Sequence, residues 1–158
     1  MPSPTFTPIT GLIRDMSPLP DDCCSQMASL ISSDGPSSLI LSPESYVVNH
    51  LMLRPGMRIT AFYDADRPVP LIFPPRYHAE IVTTKGANEQ VTVQYFDDQL
   101  VSADGSLVLN IARSTRVLTS NGQMFPCSPG GHMLIVYYQT TTRSIPAQTT
   151  PTRVIVLC

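Results

Sequence analysis

Tryptophan is absent from this chain, and lysine occurs once, at Lys85. Charge is scarce altogether: Asp, Glu, Lys and Arg make up 14% of the 158 residues, and the formal net charge is −2. Residues 1–84 hold five basic and eight acidic side chains, and residues 85–158 hold five and four. Neither half is the basic patch that a polyanion requires. No apolar run approaches the roughly 18 residues needed to cross a bilayer as a helix, so no membrane insertion is expected. Met1–Pro8 has no basic start and no apolar stretch, so it does not read as a secretory leader. A cytoplasmic location is expected, with association to the cell envelope left open.

Catalytic signatures are missing too. His50, His78 and His132 are scattered. There is no G-x-S-x-G elbow, no H-E-x-x-H and no phosphate-binding glycine loop. Cys23, Cys24, Cys127 and Cys158 form no C-x-x-C pair, which argues against a zinc site or a disulfide framework. Asp64-Ala65-Asp66 has the spacing of a cation-binding carboxylate pair but follows a strand-like run, where Asp caps a turn. The chain is expected not to be an enzyme and to have no catalytic residues, no metal and no cofactor.

What is abundant is proline, with 16 residues, joined by eight glycines. They cut the chain into pieces too short for long helices. The pieces between them read as strands. Val91-Thr92-Val93-Gln94-Tyr95-Phe96 alternates with β-branched and aromatic residues. Leu107–Ile111 and Val154–Leu157 are short apolar runs of the buried kind. Asp34-Gly35 and Asp104-Gly105 sit between such runs and favour tight hairpin turns.

Several segments echo one another in order, offset by about 70 to 76 residues, as an internal repeat does. Leu30–Gly35 matches Leu100–Gly105, Pro55-Gly56 matches Pro129-Gly130, and Arg67-Pro68-Val69-Pro70 matches Arg143-Ser144-Ile145-Pro146. The expected domains are residues 9–84 and 85–158. Units this small are marginal alone and are expected to pack together. Counting strands gives five per unit with one short helical connection. The expected fold is all-β: two tandem five-stranded OB-fold-like barrels arising by internal duplication, with a small β-sandwich as competitor.

Gly131, Tyr137-Tyr138, the loop Ser144-Ile145-Pro146-Ala147-Gln148-Thr149 and the closing Val154–Leu157 form one pattern. Gly56, Phe62-Tyr63, Pro68–Phe73 and Ala79–Val82 repeat it without the glutamine. The pattern resembles an uncharacterised bacterial OB-like β-barrel domain. The resemblance implies the barrel fold and no particular chemistry.

The two Pro-rich loops are the candidate binding elements, because loops flank the usual binding face of an OB barrel. The residues singled out are Arg67, Phe73 and Arg76 in the first, and Arg143, Gln148 and Arg153 in the second. Arg would donate to carboxylate or phosphate, Gln would hydrogen-bond, and Phe would anchor. Proline presets the backbone, so docking orders less chain. The function expected is therefore non-catalytic binding or scaffolding with a protein or peptide partner, including self-association through Leu71–Pro75. Single-stranded nucleic-acid binding on the tyrosines and small-molecule binding between the units are the alternatives.

Overall fold

Short β-branched and aromatic runs, each ended by Pro, Gly or Asp, leave this chain with strands and turns as its regular structure. The computed structural model describes residues 4–158, and among them there is no α-helix. The chain divides between Thr84 and Lys85 into two compact units.

The first unit holds β1 (Phe6–Leu19), β2 (Asp22–Ser32), β3 (Gly35–Leu41), β4 (Tyr46–Val47), β5 (Arg58–Asp64), β6 (Arg76–His78) and β7 (Ile81–Thr83). They form one sheet in the order β4-β7-β5-β1-β2-β3-β6. Asp34-Gly35 turns the β2–β3 hairpin, with Gly35 at φ 107°, a backbone state that glycine adopts freely. β1 changes partners along its length. It pairs with β5 over Phe6–Leu12 and with β2 from Leu12 onward. Gly11 permits the changeover, since a Cβ there would lie 2.8 Å from the Ile31 carbonyl oxygen.

The second unit holds β8 (Gln90–Phe96), β9 (Leu107–Leu109), β10 (Arg116–Thr119), β11 (His132–Tyr138), β12 (Ala147–Thr149) and β13 (Arg153–Leu157). Its sheets run β10-β13-β11-β8 and β12-β9.

In both units a strand lies parallel to the one three places later: β3 with β6, β4 with β7, β9 with β12, β10 with β13. Parallel neighbours need a crossover connection, which a winding chain supplies. The antiparallel pairs also correspond, β1·β5 with β8·β11 and β5·β7 with β11·β13. The strands are thus arranged as a β-solenoid, and the two tandem five-stranded OB-fold-like barrels expected from the sequence are not formed. Strand counting failed because three-residue strands such as β6, β7 and β12 bury too little sequence to reveal their partners.

Each unit has its own core. Ile13, Leu30, Leu39, Ile59 and Val82 fill the first, and Phe96, Leu109, Leu134, Val136 and Val154 fill the second. Ile59–Phe62 and Leu134–Tyr137 are buried at every position, hence on both faces. Each large apolar side chain so buried contributes about 1.5–3 kcal/mol.

Candidate functional site

β6 is held on one side only, and that fact organises the polar and aromatic groups of the first unit. Tyr63 at the end of β5 and Tyr77 in β6 stack with ring centroids 4.2 Å apart and planes 19° from parallel. β5 and β6 are not neighbours in the sheet order, so the ring pair is a side-chain bridge. Burial and the neighbouring Tyr77 push the Tyr63 phenol above its ordinary value.

Open pockets flank the stack and share both rings. One, of about 190 Å³, is lined by Ile40, Tyr63, Asp64, Arg67, Pro68–Pro70 and Arg76–His78. The other, of about 350 Å³, is lined by Pro8–Thr10, Ser33–Ser37, Tyr63, Pro75 and Tyr77. Ligand pockets commonly measure 300–1,000 Å³ and combine apolar walls with a few polar groups.

A chain of polar contacts runs behind the first pocket. Arg67 Nη1 donates to Glu80 Oε1 at 2.8 Å. Glu80 Oε1 lies 3.3 Å from His78 Nδ1, and His78 Nε2 lies 2.8 Å from Ser42 Oγ. Hydroxyl, imidazole and carboxylate in that order resemble a nucleophile relay. Here, however, Ser42 Oγ accepts the Glu44 N–H at 3.2 Å within its own turn, and the carboxylate is tied to Arg67. The arrangement anchors the start of the segment 65–75 to β6. With Arg67 half exposed, the ion pair contributes under about 1 kcal/mol.

Arg67 and Arg76 come together on the wall of one pocket. Among the described residues the Arg76 side chain makes no ion pair and no hydrogen bond. Phe73 stands outside that wall at 82% exposure, with Leu71 fully exposed and Ile72 at 47%. Leu71, Ile72 and Phe73 thus leave three consecutive apolar side chains in solvent beside the pocket.

The second unit does not gather its three candidates. Arg143 is exposed, and its side chain makes no ion pair among the described residues. Gln148 Oε1 accepts from Asn110 Nδ2 at 3.2 Å. Arg153 lies over the buried Tyr137 ring at 3.9 Å, a packing role.

Asp66 N–H donates to Asp64 Oδ1 at 2.9 Å, so Asp64-Ala65-Asp66 forms a turn. All four cysteines are free and exposed. Among the described residues no cluster of His, Cys, Asp or Glu is arranged to hold a metal, and no helix is long and apolar enough to cross a membrane.

Sequence reasoning passed over Ser42 and Glu80 and set His78 aside as one of three scattered histidines. The spacing Arg76, His78, Glu80 was the available signal, since alternate residues of a strand share a face. No family model and no curated protein matches this chain, and the solenoid arrangement of its strands contradicts the resemblance to an OB-like β-barrel domain.

Proposed function

We propose that this protein is a peptide-binding module whose site is the Tyr63–Tyr77 groove of the first unit. The observation that carries the reading is a stacked aromatic pair with an open pocket on each side, and an arginine on one wall whose side chain is unpaired among the described residues. An extended peptide places side chains alternately left and right, and it can seat one in each pocket across the ring pair. Arg76 selects a carboxylate for the pocket it lines, because Arg presents a fork that matches carboxylate geometry. The exposed Leu71–Phe73 segment at the rim adds apolar contact area.

The test is selection of a displayed random twelve-residue peptide library on the whole chain. Enriched sequences should share an acidic residue, and they should bind Arg76→Glu at least about tenfold more weakly, a loss of 1.4 kcal/mol. Arg76 is exposed and outside the core, so the variant keeps the fold. No enrichment, or enriched peptides indifferent to Arg76→Glu and to Tyr77→Phe alike, refutes the reading.

A further inference from the structure

Main-chain hydrogen bonding separates β6 from its counterpart β12. On β6, Ser38 N–H donates to the Pro75 carbonyl and Ala79 N–H donates to the Ile40 carbonyl, both toward β3. In a parallel ladder alternate residues face alternate sides. Arg76 therefore turns its N–H and C=O away from β3, toward the pocket, where no strand pairs with it. Among the described residues nothing hydrogen-bonds the Arg76 main chain.

On β12 the corresponding residue is Gln148, since Ala147 N–H donates to Ser106 O and Thr149 O accepts from Asn110 N–H, both toward β9. Its outward groups are filled. Thr142 N–H donates to Gln148 O at 2.9 Å, and Gln148 N–H donates to Thr142 Oγ1 at 3.0 Å. The second unit thus closes the strand edge with its own connecting segment.

The first unit does not do the same. Its connection between β5 and β6 spans residues 65–75, against 139–146 between β11 and β12. The segment carries Pro68, Pro70, Pro74 and Pro75, none of which has an N–H to give. Arg67, at the start of the segment, is tied to Glu80 instead. The pocket lined by Arg67, Pro68–Pro70 and Arg76 opens between that segment and the unpaired edge.

We infer that this edge is a strand-addition site, occupied by an extended segment of a partner protein. The segment docks its main chain on Arg76 as Thr142 docks on Gln148. It donates an N–H to the Arg76 carbonyl and offers the hydroxyl of the same Ser or Thr to the Arg76 N–H. The inference rests on the peptide-binding reading and names its mode and the residue class it selects. Unpaired strand edges are templates for another chain, and strand addition takes affinity from the main chain and specificity from alternate pockets.

The probe is the capped peptide Gln-Thr-Thr-Thr-Arg-Ser-Ile, the sequence of residues 139–145, titrated into the ¹⁵N-labelled whole chain. Saturable shifts of the Arg76 and His78 amides are expected. N-methylation at the fourth residue removes the donated N–H and should weaken binding about fivefold, the worth of one main-chain hydrogen bond. Arg76→Pro removes the outward N–H without touching the β3 ladder and should weaken it similarly, with its fold checked by the dispersion of the remaining amides. An unshifted Arg76 amide at millimolar peptide, or equal affinity after N-methylation, overturns strand addition. Display-selected acidic peptides that bind regardless of N-methylation at every position overturn it too, while leaving the peptide-binding reading in place.

Discussion

Ser37→Ala should make the protein more stable. Ser37 lies on β3 at 5% exposure, and its buried Oγ has no hydrogen-bond partner among the described residues. The neighbouring core position on the same face is Leu39, and β9 presents Leu107 and Leu109 in the same alternation. The site is therefore apolar on its core side, and its hydroxyl has no partner among the described residues. Such a group costs about 1–3 kcal/mol relative to hydration in the unfolded chain. Alanine keeps the Cβ and removes only the oxygen. The dispersion attraction given up is that of a single atom, at about 0.1–0.2 kcal/mol for each atom packed against it. The expected gain is about 1 kcal/mol, or about 4–8 °C in the melting temperature of a unit this size. Urea unfolding followed by circular dichroism measures it directly, with the midpoint rising and the slope unchanged. Destabilisation by about 1 kcal/mol or more would refute the reasoning, because it would mean the hydroxyl has a bonding partner in solution whose loss matters.

In amide exchange of the free protein, Gln148 should be protected and Arg76 should exchange quickly, since one outward N–H is bonded to Thr142 and the other to nothing among the described residues; equal protection would contradict the open edge. Gly11→Ala places a Cβ 2.8 Å from the Ile31 carbonyl oxygen, a backbone clash that should cost about 1–3 kcal/mol in unfolding experiments, and a neutral result would show that β1 and β2 separate easily there. Burial pushes the Asp104 carboxyl up, but hydrogen bonds from Ser106 and Ser102 outweigh it, so it sits below the ordinary carboxylate range. A lowered carboxyl stabilises above its unfolded pKa, and the contribution fades as pH falls through the folded value. The stability gap between wild type and Asp104→Asn should therefore shrink from pH 7 to pH 3, and a constant gap would remove the electrostatic account.

The strand content was readable because its signals are local. Asp34-Gly35 supplies the positive φ of a hairpin, and Val91–Phe96 alternates as a half-buried strand does. The winding was not readable. β6 and β12 are three residues long, and their partners β3 and β9 lie some 35 to 40 residues earlier in sequence. Nothing within Arg76-Tyr77-His78 marks it as parallel to Ser38–Ile40, because a parallel ladder leaves no turn signature. Continuous burial along Leu134–Tyr137 likewise hides which face meets which neighbour. The site was legible in part. Both arginines of the first loop stand on one pocket wall, but the role of Tyr63 and Tyr77 depends on a pairing between distant strands.

Matched positions in the two units separate scaffold from specialisation. The turn before β4 and the turn before β10 are built alike: Ser45 Oγ donates to Ala79 O at 2.6 Å, and Thr115 Oγ1 donates to Pro151 O at 2.7 Å. Each hydroxyl also accepts the N–H three residues back, from Ser42 and from Ala112. Ala112 has no hydroxyl, so the turn does not need Ser42 Oγ. By the same register His78, before Ala79, corresponds to Thr150, and Glu80 corresponds to Thr152, each donating its N–H to the central strand. The Ser42–His78–Glu80–Arg67 chain is therefore additional to what this scaffold requires. What it adds is a tie from Arg67, at the start of the Pro-rich segment, to Glu80 and His78. Cutting it with Glu80→Gln should leave the core intact, since Glu80 lies outside the buried cluster, while letting segment 65–75 move relative to β6. The expected readout is increased amide mobility confined to that segment, together with weaker binding of the 139–145 peptide. Unchanged mobility would show that prolines alone restrain the segment.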